Sequence, residues 1–175
     1  VKNPKVVAVG EIGLDYHYQS PSKDIQKKWF IEQIALAKKV KKPIIVHSRD
    51  ACQDTIDIMK QENASAVGGI VHCYSYTKET AKDFLDMGFY FGIGGVITFK
   101  NAKKLIEAVE YIPMDKLLLE TDSPYLAPEP YRGKRNDSTN IPLIAEKIAQ
   151  IKGISTEQVI DKTNENARKI FQLIG

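Results

Sequence analysis

The chain is poor in cysteine: two in 175 residues, Cys52 and Cys73, with no CxxC spacing. That excludes a disulfide scaffold or a cysteine-built zinc site and fits a protein with reduced thiols, expected in the cytoplasm. No uninterrupted apolar run approaches the ~18 residues of a membrane span. No charged-then-apolar leader opens the sequence, so no secretory signal is expected. Charge of one sign is also scarce. The net charge of +3 is too small to declare a nucleic-acid binder on composition alone. Linkers, low-complexity tracts and repeats are missing. Gly92, Gly94 and Gly95 do not make a GxGxxG followed by a helix, so a dinucleotide fingerprint is weak; these glycines instead suit close passage of the backbone past a ligand or neighbouring element. Ser48, Ser75 and Ser123 lack the GxSxG elbow of a serine hydrolase. What remains is an ordinary globular composition, 43% apolar and 27% charged, enough for one domain over residues 1–175.

The informative pattern is a repeated strand ending. Leu117–Leu119 is a run suited to a strand buried on both faces. It gives way to Glu120, Asp122 and Pro124, and the proline forbids its continuation. Val6–Gly10 ends in Glu11, followed by Gly13 and Asp15. Ile44–Val46 ends in His47, then Ser48 and Arg49. Ile70–Val71 ends in His72, then Cys73. Four short apolar runs, each with a metal-capable side chain at its C-terminal edge, are the arrangement by which a parallel α/β barrel builds its site.

Between the strands the sequence predicts helices. One spans about Pro21 to Val40, with Ser20 as cap and Phe30, Ile34 and Ala37 inward. The next covers Ala51–Gln61, capped by Asp50, and a third runs from Thr77 to Met87. Further helices are predicted near Ala102–Tyr111 and over Pro142–Lys152. A capping box at Ser155 and Gln158 opens a short helix, and a last one covers Thr163–Leu173. Phe89–Ile93 supplies a further strand. Five β-then-α units with a helical tail follow from this count, joined by right-handed crossovers. Five parallel strands make either an open doubly wound sheet or most of an eight-stranded barrel, which takes ~250 residues.

Glu11, His47, His72 and Asp122 together form a sensible set of divalent-metal ligands and suit a hydrolytic site. The bland alternative makes the histidines backbone-bonded core residues and the acids loop caps; it must be invoked four times over. Arg49 is placed to pair with either a phosphate or Asp50. Arg132, Lys134 and Arg135 lie just past Asp122, as a phosphodiester-binding cluster or an ordinary solvated loop. Cys73 follows His72 directly, and strand alternation argues against a Cys–His nucleophile.

At these residues the chain resembles the TatD family of metal-dependent deoxyribonucleases. Its motifs are Gly10-Glu11-Ile12-Gly13-Leu14-Asp15-Tyr16, Val46-His47-Ser48-Arg49, Val71-His72-Cys73-Tyr74-Ser75 and Leu118-Leu119-Glu120-Thr121-Asp122-Ser123-Pro124-Tyr125-Leu126. The basic loop Arg132-Gly133-Lys134-Arg135-Asn136 follows them. The resemblance implies a TIM-barrel-type (β/α)8 hydrolase cleaving phosphodiester bonds of DNA with two divalent cations, Mg, Mn or Zn. By the same resemblance Glu11 bridges the metals, His47 and His72 hold one, and Asp122 serves the other and acts as base. Glu11 and Asp122 are thus the expected catalytic residues, and Arg49, Arg132 and Arg135 the expected substrate contacts. Hydrolysis of a small amide or ester on the same barrel is the rival reading, and an inactive fragment the third.

The family's first strand carries a His-x-His pair. The third histidine here, His17, is in no such pair, and no strand is predicted before Val6. The chain is therefore expected to be the C-terminal two-thirds of a member, lacking the opening strands of its barrel. An open sheet edge near Val6–Gly10 is then expected to invite self-association. After Asn136, Asp137-Ser138-Thr139 stands where Glu-Pro is often found.

Overall fold

The structure, a computed structural model, describes residues 3–172. Its strands are β1 (Val9–Asp15), β2 (Ile44–Arg49), β3 (Gly69–Val71), β4 (Tyr90–Ile93) and β5 (Leu117–Leu119). They form one sheet in the order β1-β2-β3-β4-β5, every neighbouring pair parallel. Consecutive strands lie side by side, so the sheet never reverses direction of growth as a doubly wound sheet does. The order is that of a barrel wall. Among the described residues it is an open arc of five strands and not a closed ring of eight. The expectation that opening strands are missing from the chain has no support in the fold itself.

Helices α1 (Lys23–Val40), α2 (Cys52–Gln61), α3 (Lys78–Asp86) and α4 (Lys103–Tyr111) fill the crossovers, and α5 (Ile141–Lys152) and α6 (Thr156–Phe171) follow β5. Alternation along the strands divides two faces. Val46, Val71, Phe91 and Leu117 point into the main core, where they meet Phe30 and Ile34 of α1, Met59 of α2, Phe84 of α3 and Ile148 of α5. Each such side chain contributes roughly 1.5–3 kcal/mol on full burial. Ile70, Tyr90 and Leu118 point to the other face, where Ala167, Ile170 and Phe171 of α6 cover them. Two residues further along each of those strands stand His72, Gly92 and Glu120. The second face is therefore apolar where the strands begin and chemical where they end.

Local departures from the sequence reading have visible causes. The first helix starts at Lys23, with Ser22 and not Ser20 at the cap position. Asp50 does not cap α2: it adopts φ 53°, and Ala51 holds the cap position. The two helices expected after Ser155 are one. The capping box does form, and with no glycine or proline between Thr156 and Phe171 nothing stops the helix at Thr163. Leu173 lies outside the described residues. Strand β3 ends at Val71, one residue before His72.

Candidate active site

Glu11 lies inside β1, where the pairing with β2 is irregular between Val9 and Ile12. Such a bulge re-aims a side chain, and the tight approach of β2 explains the preceding glycine. A Cβ on Gly10 would sit 2.6 Å from Ile45 Cβ. Glu11 Oε2 is 3.9 Å from His47 Nδ1, and its Oε1 is 3.8 Å from His72 Nε2. His72 Nε2 is in turn 3.1 Å from Asp122 Oδ1. The four residues expected as ligands are thus brought together at the C-terminal edge of the sheet.

Each histidine also has a carboxylate behind it. His47 Nε2 is 3.1 Å from Asp15 Oδ2, and Gln26 holds the backbone of Asp15 by bonds at both its N–H and C=O, each 2.8 Å. His72 Nδ1 donates to Glu120 Oε2 at 2.5 Å. Glu120 is nearly buried, and its Oε1 has no hydrogen-bond partner. Gly92 makes room for it, since a Cβ there would collide with Glu120 Oε2. That is the close approach the glycine run suggested, made by a side chain of β5's own exit. The sequence reading placed Glu120 at the strand end but gave it no role, and passed over Asp15. Their signal was available: each lies two or four residues from a ligand on the same strand exit.

Burial pulls the His72 pKa down, but the bond to Glu120 and the charges of Glu120, Glu11 and Asp122 outweigh it and raise it to about 9. Cys73 lines the same cavity as His72, because β3 has already ended and Cys73 takes a left-handed turn with φ 46°. Alternation therefore does not separate the two. What excludes a thiolate nucleophile is burial, with the negative charge of Glu120 and Asp122 beside it, which drives the thiol far above its ordinary range. Asp122 has φ 56°, a conformation non-glycine residues adopt sparingly and that recurs at functional sites.

The cavity in front of these residues measures about 480 Å³ and is walled by His47, Arg49, His72, Asp122 and Tyr125, with Tyr18 at its rim. Arg49 is not paired with Asp50, whose carboxylate turns 3.7 Å from His17. The Arg49 guanidinium lies 5.8 Å from the Tyr18 ring, and among the described residues no carboxylate meets it within ion-pair distance. Arg132 lies in an adjoining cavity, 4.2 Å over Phe99. Arg135 does not join them; it lines a separate depression with Asp137 and Thr139. Asp137 caps the turn Ser138–Asn140 through Thr139 N–H, at 2.9 Å.

The sequence reading also missed Asn136. It is 1% exposed, and its amide donates to Thr121 O (2.7 Å) and Tyr125 O (2.9 Å). The loop carrying Asp122 and Tyr125 is tied down by that one side chain.

Among the described residues, no three His, Cys, Asp or Glu side chains stand as a ready-made metal group. The reason is local. Two ligands of one transition ion, each ~2.1 Å from it, lie ~3.0–3.4 Å apart. His72 and Asp122 meet that spacing at 3.1 Å, while Glu11 stands off at 3.8 Å and 3.9 Å. Glu11 is half exposed. The surplus of carboxylates around His72 and the unpartnered Glu120 oxygen are what a cation would balance. The residues fit a divalent metal.

The chain resembles known proteins over nearly its whole length. The chain is 52% identical over 169 residues to YabD of Bacillus subtilis, named an uncharacterized metal-dependent hydrolase, covering 97% of this chain and 66% of that protein. It is 36% identical to a protein of Rahnella named 3'-5' ssDNA/RNA exonuclease TatD, covering 97% of this chain and 66% of the relative. The crystal structure of YJJV, a TatD homolog from Escherichia coli, superposes with a TM-score of 0.91 at 29% identity, over 98% of this chain and 66% of that one. The chain thus spans about two thirds of the length of the relatives it matches. The family model described as TatD related DNase matches residues 1–172, and the chain belongs to that family of metal-dependent hydrolases.

Proposed function

We propose that this protein hydrolyses phosphodiester bonds of DNA at the cavity between His47, His72 and Asp122. The observation that carries the reading is the pairing of a carboxylate–histidine cluster with an uncommitted cation, Arg49, in one cavity. The Rahnella relative's name, an exonuclease on single-stranded DNA and RNA, supports the same bond.

Glu11, His47, His72 and Asp122 would hold divalent cations, two of them, of the Mg, Mn or Zn class. A bound divalent cation supplies Lewis acidity and neutralises charge on a phosphodiester. The protein's own groups do the rest. Arg49 faces the non-bridging oxygens. Asp122, one-third exposed beside His72, accepts the proton lost by the attacking water. Glu120 and Asp15 fix the two imidazole rings, a role that outer carboxylates serve at metal-binding histidines.

The test is a substrate panel: single-stranded DNA, single-stranded RNA and a set of small esters and amides, each with and without divalent cation. Cation-dependent cleavage of DNA, with the small substrates untouched, is expected. Turnover of an ester or amide with DNA left intact would replace this reading with the rival one.

A further inference from the structure

We propose that the cavity beyond Tyr125 is a second nucleotide subsite, which binds the base and phosphate next to the bond being cut. It rests on the phosphodiesterase reading. The cavity measures about 390 Å³ and shares a wall, Tyr125 and Leu126, with the 480 Å³ cavity at His47 and His72. Both volumes fall in the ~300–1,000 Å³ range of small-ligand sites.

The wall is exposed yet firmly held. Tyr125 is 70% exposed, but its N–H donates to Asp122 O at 2.9 Å and its carbonyl accepts from the buried Asn136 amide. Leu126 is held at φ 54°, and its carbonyl fills the space a Cβ on Gly95 would need. An aromatic ring presented on a fixed backbone loses little freedom on binding, so most of its stacking energy appears as affinity.

The cations on both sides are held by rings and not by acids. Arg132 lies 4.2 Å over Phe99, Lys134 5.8 Å over Tyr131 and Arg49 5.8 Å over Tyr18. Among the described residues none of the three meets a carboxylate within ion-pair distance. Each keeps its charge available to a phosphate. Ring–cation pairs thus line both cavities, Tyr18 with Arg49 in one and Phe99 with Arg132 in the other, with Tyr125 on the shared wall. A single strand offers the complement, with bases free to stack between phosphates; a duplex hides its base faces.

The probes are thymidine monophosphate, a phosphorothioate-linked thymidine dinucleotide and the corresponding uridine dinucleotide, with binding read by calorimetry in the presence of Mg²⁺. The dinucleotides are expected to bind the protein on the order of tenfold more tightly than the mononucleotide. The deoxy and ribo arms tell which nucleic acid supplies the shared base-and-phosphate chemistry. Tyr125→Ala should erase that gain; Tyr125→Phe should keep it, and Arg132→Ala should reduce it. A gain that survives in Tyr125→Ala overturns the subsite while DNA cleavage still supports the active-site reading. No binding by mononucleotide or dinucleotide overturns both.

Discussion

His72 is bonded to a carboxylate at each ring nitrogen, Glu120 at Nδ1 and Asp122 at Nε2. Such a ring is held as imidazolium in the metal-free protein, with its pKa raised from 6.5 to about 9. A raised pKa contributes stability that is fully present below the unfolded value and lost as pH climbs through the folded one. The thermal midpoint of chelator-treated protein should therefore fall between about pH 6.5 and pH 9. Metal affinity should rise over the same window, because the cation displaces that proton. Thermal melts at both ends of the window check the first statement, and flat midpoints would contradict it. Glu120 belongs to the same scale. Cutting it to Ala removes the group that orients His72 and should weaken metal binding about 10–100-fold. The fold should also lose stability below about pH 9, because the pairing with Glu120 is what chiefly raises the His72 pKa. Calorimetric metal titration beside a thermal melt separates the roles: lost stability with unchanged metal affinity would make Glu120 a structural residue only.

At the scale of elements, the endings of β3 and β5 were legible because an apolar run stopped by a polar side chain needs no long-range information. Strands β1 and β2 instead continue past Glu11 and His47 to Asp15 and Arg49, because pairing between them carries on beyond the apolar run. The stripe Phe30, Ile34 and Ala37 is fully buried as its spacing predicts. Glu120 was hidden because two carboxylates at one strand exit look alike until β4 shows a glycine opposite one of them. The turn at Cys73 was hidden because left-handed backbone at a non-glycine residue leaves no mark in the sequence. Asn136 read as part of a basic loop, whereas its work is to accept and donate hydrogen bonds inside it. The irregular edge strand β1 pairs on one side with β2 and, among the described residues, with nothing on the other. Unpaired strand edges recruit other chains. Light scattering of this chain across a concentration series should show self-association. A monomer at every concentration would count against it.

At the scale of the molecule, the sheet divides labour along its strands. Where they begin, α6 seals the second face with Ala167, Ile170 and Phe171; where they end, the same face carries His72 and Glu120. No helix of the described residues is long and apolar enough to cross a membrane. A net charge of +3 spread over 175 residues leaves phosphate attraction to the local cations at the two cavities. The central claim is that a carboxylate–histidine cluster at this strand edge performs metal-dependent phosphodiester hydrolysis, with Asp122 as proton acceptor. Asp122→Asn tests it most directly, since Asn preserves size and one oxygen but cannot take a proton near neutral pH. The measurement is paired: bound metal by elemental analysis, and single-stranded DNA hydrolysis at the same protein concentration. The account predicts that the variant keeps at least one metal and loses turnover by 100-fold or more, on the order expected for removing a general base. Full turnover in the Asn variant would contradict it.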